Sequence, residues 1–288
     1  MKKILLALAM VCGLFGSTAA QAADQTAVAV DPAKLATFME KWKTYESFKF
    51  PTAAEDQPLL LAALAKEPAG PWYAYLSMQF AGTAQQLRTL PEKERPAAAA
   101  KAADTLKQAG QILNDALQKD AAGSAELKTE RAMLRQMLAP ILIEAGPAYF
   151  PEARAMGEDM LAHLPATNAW DYGNIIYGGN QLLGQIALRE GKPKEARDFL
   201  HQAGQTPGSP QLNSFGPDNL LARDLLHHGE PADREAVLAY LDDIARFWAN
   251  PDKAPSSYKE YTVKKRQQIE TWKTAIRAGN IPEGPNWR

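Results

Sequence analysis

Cysteine is almost missing from this chain: Cys12 is the only one, and it sits in the first apolar run. That run, Ile4 to Phe15, follows the basic Lys2 and Lys3 and precedes Ala20-Gln21-Ala22. A basic start, a short apolar stretch and a small-x-small site predict a signal peptide over 1–22, cleaved after Ala22. The run is shorter than the roughly 20 residues a spanning helix needs. A lipid-modified Cys12 is disfavoured because Met10-Val11 before it offers no small residue. The mature chain from Ala23 therefore has no thiol, which excludes disulfides, cysteine nucleophiles and cysteine-ligated metal sites.

Histidine is also scarce, with only His163, His201, His227 and His228. No HExxH helix and no G-x-S-x-G elbow occurs, so the common zinc-protease and esterase arrangements are excluded. Charge of one sign is lacking too: 32 basic residues face 33 acidic ones. Loss of Lys2 and Lys3 leaves a net charge of about −3. A near balance argues against a nucleic-acid partner, which calls for a basic stripe. No second apolar run approaches spanning length, so no membrane span is expected in the mature chain.

Alternating β-branched runs are nearly absent outside Thr26 to Val30, read as a frayed end. Alanine, leucine, glutamine, lysine and glutamate dominate, and these are strong helix formers. Glycine and proline cluster between the helical runs. The pattern predicts helices over about 32–47, 56–67, 71–81, 93–119, 124–144, 151–163, 171–190, 193–203, 217–229, 232–248 and 257–278. Asp31-Pro32 and Gly216-Pro217 place proline at a first helical position, where its missing N–H costs nothing. No linker is evident, so 23–288 is expected to be a single all-helical repeat domain.

The stretch Leu182 to Arg189, then Glu190-Gly191, then Lys192 to Ala203 reads as two helices joined by a glycine turn, with small residues at the crossings. Such a hairpin cannot bury its apolar face alone, so neighbours must stack on it. Leu183-Gly184, Ala187, Gly191, Ala196, Leu200 and Ala203, with Pro207 and Pro210 behind, resemble a tetratricopeptide repeat. A second unit, 215–248, carries Leu221-Ala222, Leu225 and Gly229 at matching places, with a longer turn before its second helix. Ala153 to Leu164 resembles the second helix of a preceding unit, with its first helix within Met133 to Ala145. The resemblance is clearest over 177–210 and 215–248. It implies an all-α fold, a right-handed stack of antiparallel helical hairpins forming a tetratricopeptide-like α-solenoid.

In that family the first helices line a concave surface. The resemblance then implies ligand-binding positions at Gln181, Gln185 and Arg189 in one unit, and Asn219, Arg223 and His227 in the next. Each set is spaced by four and so shares a helical stripe. Arg189 and Arg223 suit a carboxylate or phosphate, because a guanidinium fork pairs such groups at two points. The family's clamp of lysines and asparagines for peptide C-termini is not reproduced. A merely solvated polar face is the alternative for these stripes. On this reading Arg189→Ala with Arg223→Ala removes binding and leaves stability nearly unchanged.

The run Tyr172-Gly173-Asn174…Tyr177-Gly178-Gly179-Asn180 puts three glycines at the front of a helix, each costing about 1 kcal/mol relative to alanine. Close backbone packing is the expected offset, although Tyr172 and Tyr177 could instead frame a groove. In the loop Thr206 to Pro217, Phe215 is expected to staple the next helix and Ser214 or Asn213 to cap it, rather than form a recognition edge.

No residue set specifies a reaction: no catalytic residue, cofactor or metal ligand is assigned. Asp198 with His201, and Asp224 with His227 or His228, share helix faces near helix C-termini, where the dipole favours an imidazolium. The carboxylates Asp242-Asp243, Glu158-Asp159 and Glu144 keep open a second class, a periplasmic carbohydrate- or peptidoglycan-active enzyme on an α/α toroid, which would need two acids facing across a cleft. Trp42, Trp72, Trp170, Trp248, Trp272 and Trp287 could stack on sugars but are expected to fill gaps and seal ends. The leading expectation is an exported, periplasmic scaffold that binds a peptide, a protein partner or an envelope component around 177–230.

Overall fold

In the computed structural model, residues 30–43, 56–80, 82–119, 125–250 and 259–287 are described. They are helical with no strand among them. The predicted leader, Cys12 and the cleavage site lie outside the described residues. No helix of the described residues is long and apolar enough to cross a membrane.

In chain order the helices are α1 Pro32–Trp42, α2 Gln57–Lys66, α3 Trp72–Phe80, α4 Thr83–Thr89, α5 Arg95–Lys119, α6 Ala125–Ala145, α7 Phe150–Ala162, α8 Tyr172–Arg189, α9 Pro193–Gly204, α10 Pro210–Phe215, α11 Leu220–His228, α12 Pro231–Trp248 and α13 Lys259–Arg277. Most boundaries fall where propensity and punctuation place them. Asp31 caps α1 by accepting from the Ala33 amide at 2.9 Å, with Pro32 at the first position. Two short helices, α4 and α10, were not expected. α10 is opened by Ser209, whose hydroxyl accepts from the Leu212 amide at 3.0 Å, followed directly by Pro210. Asn213 and Ser214, expected to cap the following helix, lie inside α10 instead, and at the start of α11 it is Asp218 Oδ1 that accepts from the Leu220 amide at 3.0 Å. Phe215 staples nothing, being 81% exposed. Pro217 also stays outside α11, because its carbonyl accepts from Asn286 Nδ2 and holds the tail there.

The chain forms two compact units. One comprises, of the described residues, those up to Phe80 together with those within Lys101–Met137. Within it α1 packs on α2 and α2 on α3. Its aromatic centre joins Phe38 to Trp72 (6.2 Å) and Trp42 edge-on to Tyr75 (5.9 Å). Those two tryptophans serve packing.

The other unit comprises Gly82–Ala100 and Leu138–Arg288. Here α8 packs between α7 and α9, α9 packs on α11 and α12, and α12 on α13. The Gly191 turn, with φ of 74°, joins α8 to α9. A Cβ on Gly184 would lie 2.3 Å from Leu221 Cδ2 and 3.1 Å from Phe199 Cβ, so α8 meets both α9 and α11 at this glycine. Ala196 is fully buried in the same core. At the far end Trp248 stacks on Trp272 (5.8 Å), which meets Trp287 edge-on (5.6 Å). These three tryptophans are buried, whereas Trp170 is exposed.

The glycine-rich start of α8 divides by position. Gly173 and Gly179 touch neighbours too closely for a side chain, with Gly208 O and Leu161 in their way. Gly178 is different, since its nearest neighbour would be Met160 Cε at 4.0 Å. Tyr177 is buried and frames no opening.

Candidate functional site

Four arginines converge on a single pocket of the second unit, about 540 Å³ in volume. Arg88 comes from α4, Arg95 from the start of α5, Arg189 from the end of α8 and Arg223 from α11. Asp224 is the carboxylate that lines it, and Gln85, Gln86 and Thr89 form the α4 wall.

Glu144 lies beneath, in the last turn of α6, with its side chain only 1% exposed. Arg88 Nε donates to Glu144 Oε1 at 2.8 Å and Arg189 Nη2 to the same oxygen at 2.6 Å. Arg95 Nη1 stands 3.7 Å from Oε2. One buried carboxylate thus orients two guanidinium groups by charge-assisted hydrogen bonds, strong where water is excluded, and forms a longer ion pair with Arg95, which is held by the Arg88 and Leu90 carbonyls at 3.2 and 3.4 Å. Arg189 Nη1 also donates to the Ile143 carbonyl at 2.7 Å, and Arg88 Nη2 to Gln185 Oε1 at 2.6 Å.

Donors remain after this pairing. Among the described residues, Arg88 Nη1 and Arg95 Nε are buried without a hydrogen-bond partner. Arg88 Nη1 approaches Asp224 Oδ2 only to 3.6 Å, too far for a hydrogen bond. Arg223 reaches its chain neighbour Asp224 through Nε and Nη2 at 3.4 and 3.2 Å, and the Trp287 carbonyl through Nη1 at 3.4 Å.

Asp218 borders this cluster. Crowding by the surrounding protein pushes its carboxyl up to about 6, against the pull of Arg88, the Leu220 amide and Arg223. Solvent reaches the side chain and screens it, so the shift bears on the charge the protein presents here more than on stability. Behind it lies a buried hydroxyl network. The Tyr177 and Tyr240 hydroxyls lie 2.7 Å apart, with the Asp218 carbonyl against Tyr177 and Asn219 Oδ1 2.9 Å from Tyr240, and their two protons serve two of these three contacts at a time. Burial raises the Tyr177 and Tyr240 hydroxyls well above the usual range, so both stay protonated donors.

The six positions read from the sequence divide sharply. Arg189 and Arg223 both line the pocket. Gln185 stands behind it as the acceptor for Arg88. Gln181 and Asn219 are buried and spend their side chains internally, Gln181 donating to the Tyr177 hydroxyl at 3.2 Å. His227 is exposed at the end of α11. The stripe turns inward at Gln181 because α11 packs over that part of α8. Arg88 and Arg95 had no sequence signal: they lie about a hundred residues from Arg189, and α4 itself was not foreseen. Glu144 appeared only as an isolated carboxylate.

The expected histidine pairs within one helix are replaced by pairs beyond it. His201 Nδ1 meets Asp243 Oδ2 of α12 at 3.1 Å, and His228 Nδ1 meets Asp233 Oδ2 at 2.7 Å. Asp198 pairs instead with Lys194, and Asp224 with Arg223. His228, Glu230 and Asp233 bring three potential metal-ligand atoms within 4.8 Å. Yet Asp233 already accepts from Arg197 at 2.6 Å and from the Glu230 amide at 3.1 Å, which makes it a helix cap. Asp242 is bound by Lys273 at 2.6 Å and Asp243 by Arg246 at 2.6 Å, so neither is held toward a reacting group.

Comparison with known proteins yields no family model, no curated protein and no solved structure that matches this chain.

Proposed function

We propose that this chain is an exported, tetratricopeptide-like helical scaffold, working in the periplasm, that holds an anionic group of a peptide, protein partner or envelope component in the arginine pocket. The observation that carries this reading is the convergence of Arg88, Arg95, Arg189 and Arg223 on one cavity. Four guanidinium groups face Glu144 and Asp224, a surplus of positive charge that an anion would neutralise. The close approach at Gly184 and Ala196, where such repeats place small residues, supports the repeat reading.

Capture of partners from envelope extract tests it. Wild-type protein should retain a specific partner that Arg223→Gln loses by about tenfold, the cost of one charge-assisted fork. Arg223 is the better probe than the Arg189–Arg223 pair. Arg189 bonds the buried Glu144, so Arg189→Ala would also lower stability. Identical capture by wild type and Arg223→Gln, with both folded, would remove the pocket from the function.

The pH dependence is a second test. Sulfate keeps both charges at mildly acidic pH, so it reports the protein alone. As pH falls through about 6, Asp218 takes up a proton, and the net charge of Asp218 together with Arg88, Arg95, Arg189, Arg223, Glu144 and Asp224 rises by one. Sulfate affinity should therefore rise several-fold between about pH 7.5 and pH 5, as expected for one charge added nearby in a partly wet site. Asp218→Asn should flatten that profile, and a profile unchanged by the substitution would assign the titration elsewhere.

A further inference from the structure

We propose that the arginine pocket takes a phosphate monoester carried on a polyhydroxylated, sugar-sized group, and that Asp224 is the internal carboxylate this ligand displaces. The inference rests on the reading above that the pocket holds an anion, and it names the ligand class and the residue that sets the specificity.

Charge is the first ground. Arg88, Arg95, Arg189 and Arg223 against Glu144 and Asp224 leave a surplus of two positive charges, reduced by one when Asp218 is ionised. A carboxylate brings one charge and two oxygens. A phosphate monoester brings up to two charges and three strong acceptor oxygens, a closer match to four converging forks.

The donors are the second ground. Arg88 has a side chain nine-tenths buried, and its Nη1 has no hydrogen-bond partner. A buried unpaired donor costs about 1–3 kcal/mol, and an acceptor delivered into the pocket would recover it. Arg88 cannot turn away, because Glu144 and Gln185 hold its Nε and Nη2 at 2.8 and 2.6 Å.

Asp224 is the third. It stands between Arg88 and Arg223, yet its contacts are long: 3.6 Å to Arg88 Nη1 and 3.2 Å to Arg223 Nη2. Adjacent residues on a helix do not face each other, so the Arg223–Asp224 pair has poor geometry. A loosely held carboxylate against two guanidinium groups occupies the position a ligand oxygen would take, and its outward rotation frees both forks.

Size is the last. About 540 Å³ exceeds what a bare ion needs and falls in the range of small-molecule sites. The exposed Gln85, Gln86 and Thr89 of α4 line the opening and offer neutral donors and acceptors suited to sugar hydroxyls.

Calorimetric titration of the full chain with glucose-6-phosphate, glucose-6-sulfate, gluconate and inorganic phosphate tests the proposal. Glucose-6-phosphate should bind about tenfold tighter than the singly charged sulfate ester or gluconate, and tighter than inorganic phosphate. Asp224→Asn should tighten it by about three- to tenfold, because one competing negative charge is removed, and Arg223→Gln should weaken it by about tenfold. Thermal melts report whether each variant is folded, and Asp224→Ser replaces Asp224→Asn if the latter is not. Equal affinity for gluconate and glucose-6-phosphate, or weaker binding by the folded Asp224 variant, overturns the proposal. If glucose-6-phosphate does not bind while Arg223→Gln still loses its captured partner, the ligand class falls and the anion-binding scaffold stands. If capture is also indifferent to Arg223, both fall.

Discussion

Glu144→Gln is expected to cost about 3 kcal/mol of folding free energy, more than any other single change in the pocket. The substitution keeps the shape of the side chain and removes its charge. Arg88, Arg95 and Arg189 would then face one another with no counter-ion beneath them. Removing one partner of a buried ion pair costs roughly 3–5 kcal/mol, and the lower end applies because Arg95 and Arg189 reach solvent. Urea denaturation measures the loss. Added sulfate should restore part of it in the variant and much less in the wild type, since an anion that binds only the folded state stabilises it by mass action. A loss under about 1 kcal/mol would mean that the arginines are oriented by their other hydrogen bonds, such as Arg88 to Gln185 and Arg189 to the Ile143 carbonyl, rather than by this carboxylate.

The second large effect is a contrast inside one helix. Gly173→Ala and Gly178→Ala make the same chemical change five positions apart, yet their effects should have opposite sign. A Cβ on Gly173 would sit 1.9 Å from the Gly208 carbonyl oxygen and 2.6 Å from its carbon. That carbonyl belongs to a backbone at φ +86°, in the segment where Thr206 Oγ1 donates to Gly173 O at 2.8 Å, so it has little freedom to retreat. Overpacking against backbone costs about 1–3 kcal/mol or more, and it outweighs the gain of about 1 kcal/mol in helix propensity. Gly178 has ordinary space around it, so alanine there should stabilise the protein by up to about 1 kcal/mol. Thermal and chemical denaturation of the two variants settles the matter. Equal effects would show that the helix front, and not the contact with Gly208, sets the requirement for glycine.

That contrast marks how far a single chain of letters could be read. Three glycines in a helix announce a cost, and close packing is the economical offset, but the neighbour lies some thirty-five residues away at Gly208. Periodicity says nothing about which of Gly173, Gly178 and Gly179 it touches. Phe215 is a parallel case. A large apolar residue before a helix looks like a staple, yet Ser209 and Pro210 start a helix that carries Phe215 to its end and out into solvent.

What the amino-acid order determined by itself is the all-helical character, most helix boundaries, and the close approach at Gly184 and Ala196. These are set by propensity, capping and turn residues acting over a few positions, so they are written locally. Only the tertiary structure decided that Arg88 and Arg95 join Arg189 and Arg223, that Glu144 lies beneath them, and that Gln181 and Asn219 face a buried tyrosine pair instead of a ligand. A helical stripe has the same spacing whether it meets solvent or a neighbouring helix. Which of the two it meets depends on contacts between segments far apart in the chain, and the pocket's chemistry is made entirely of such contacts.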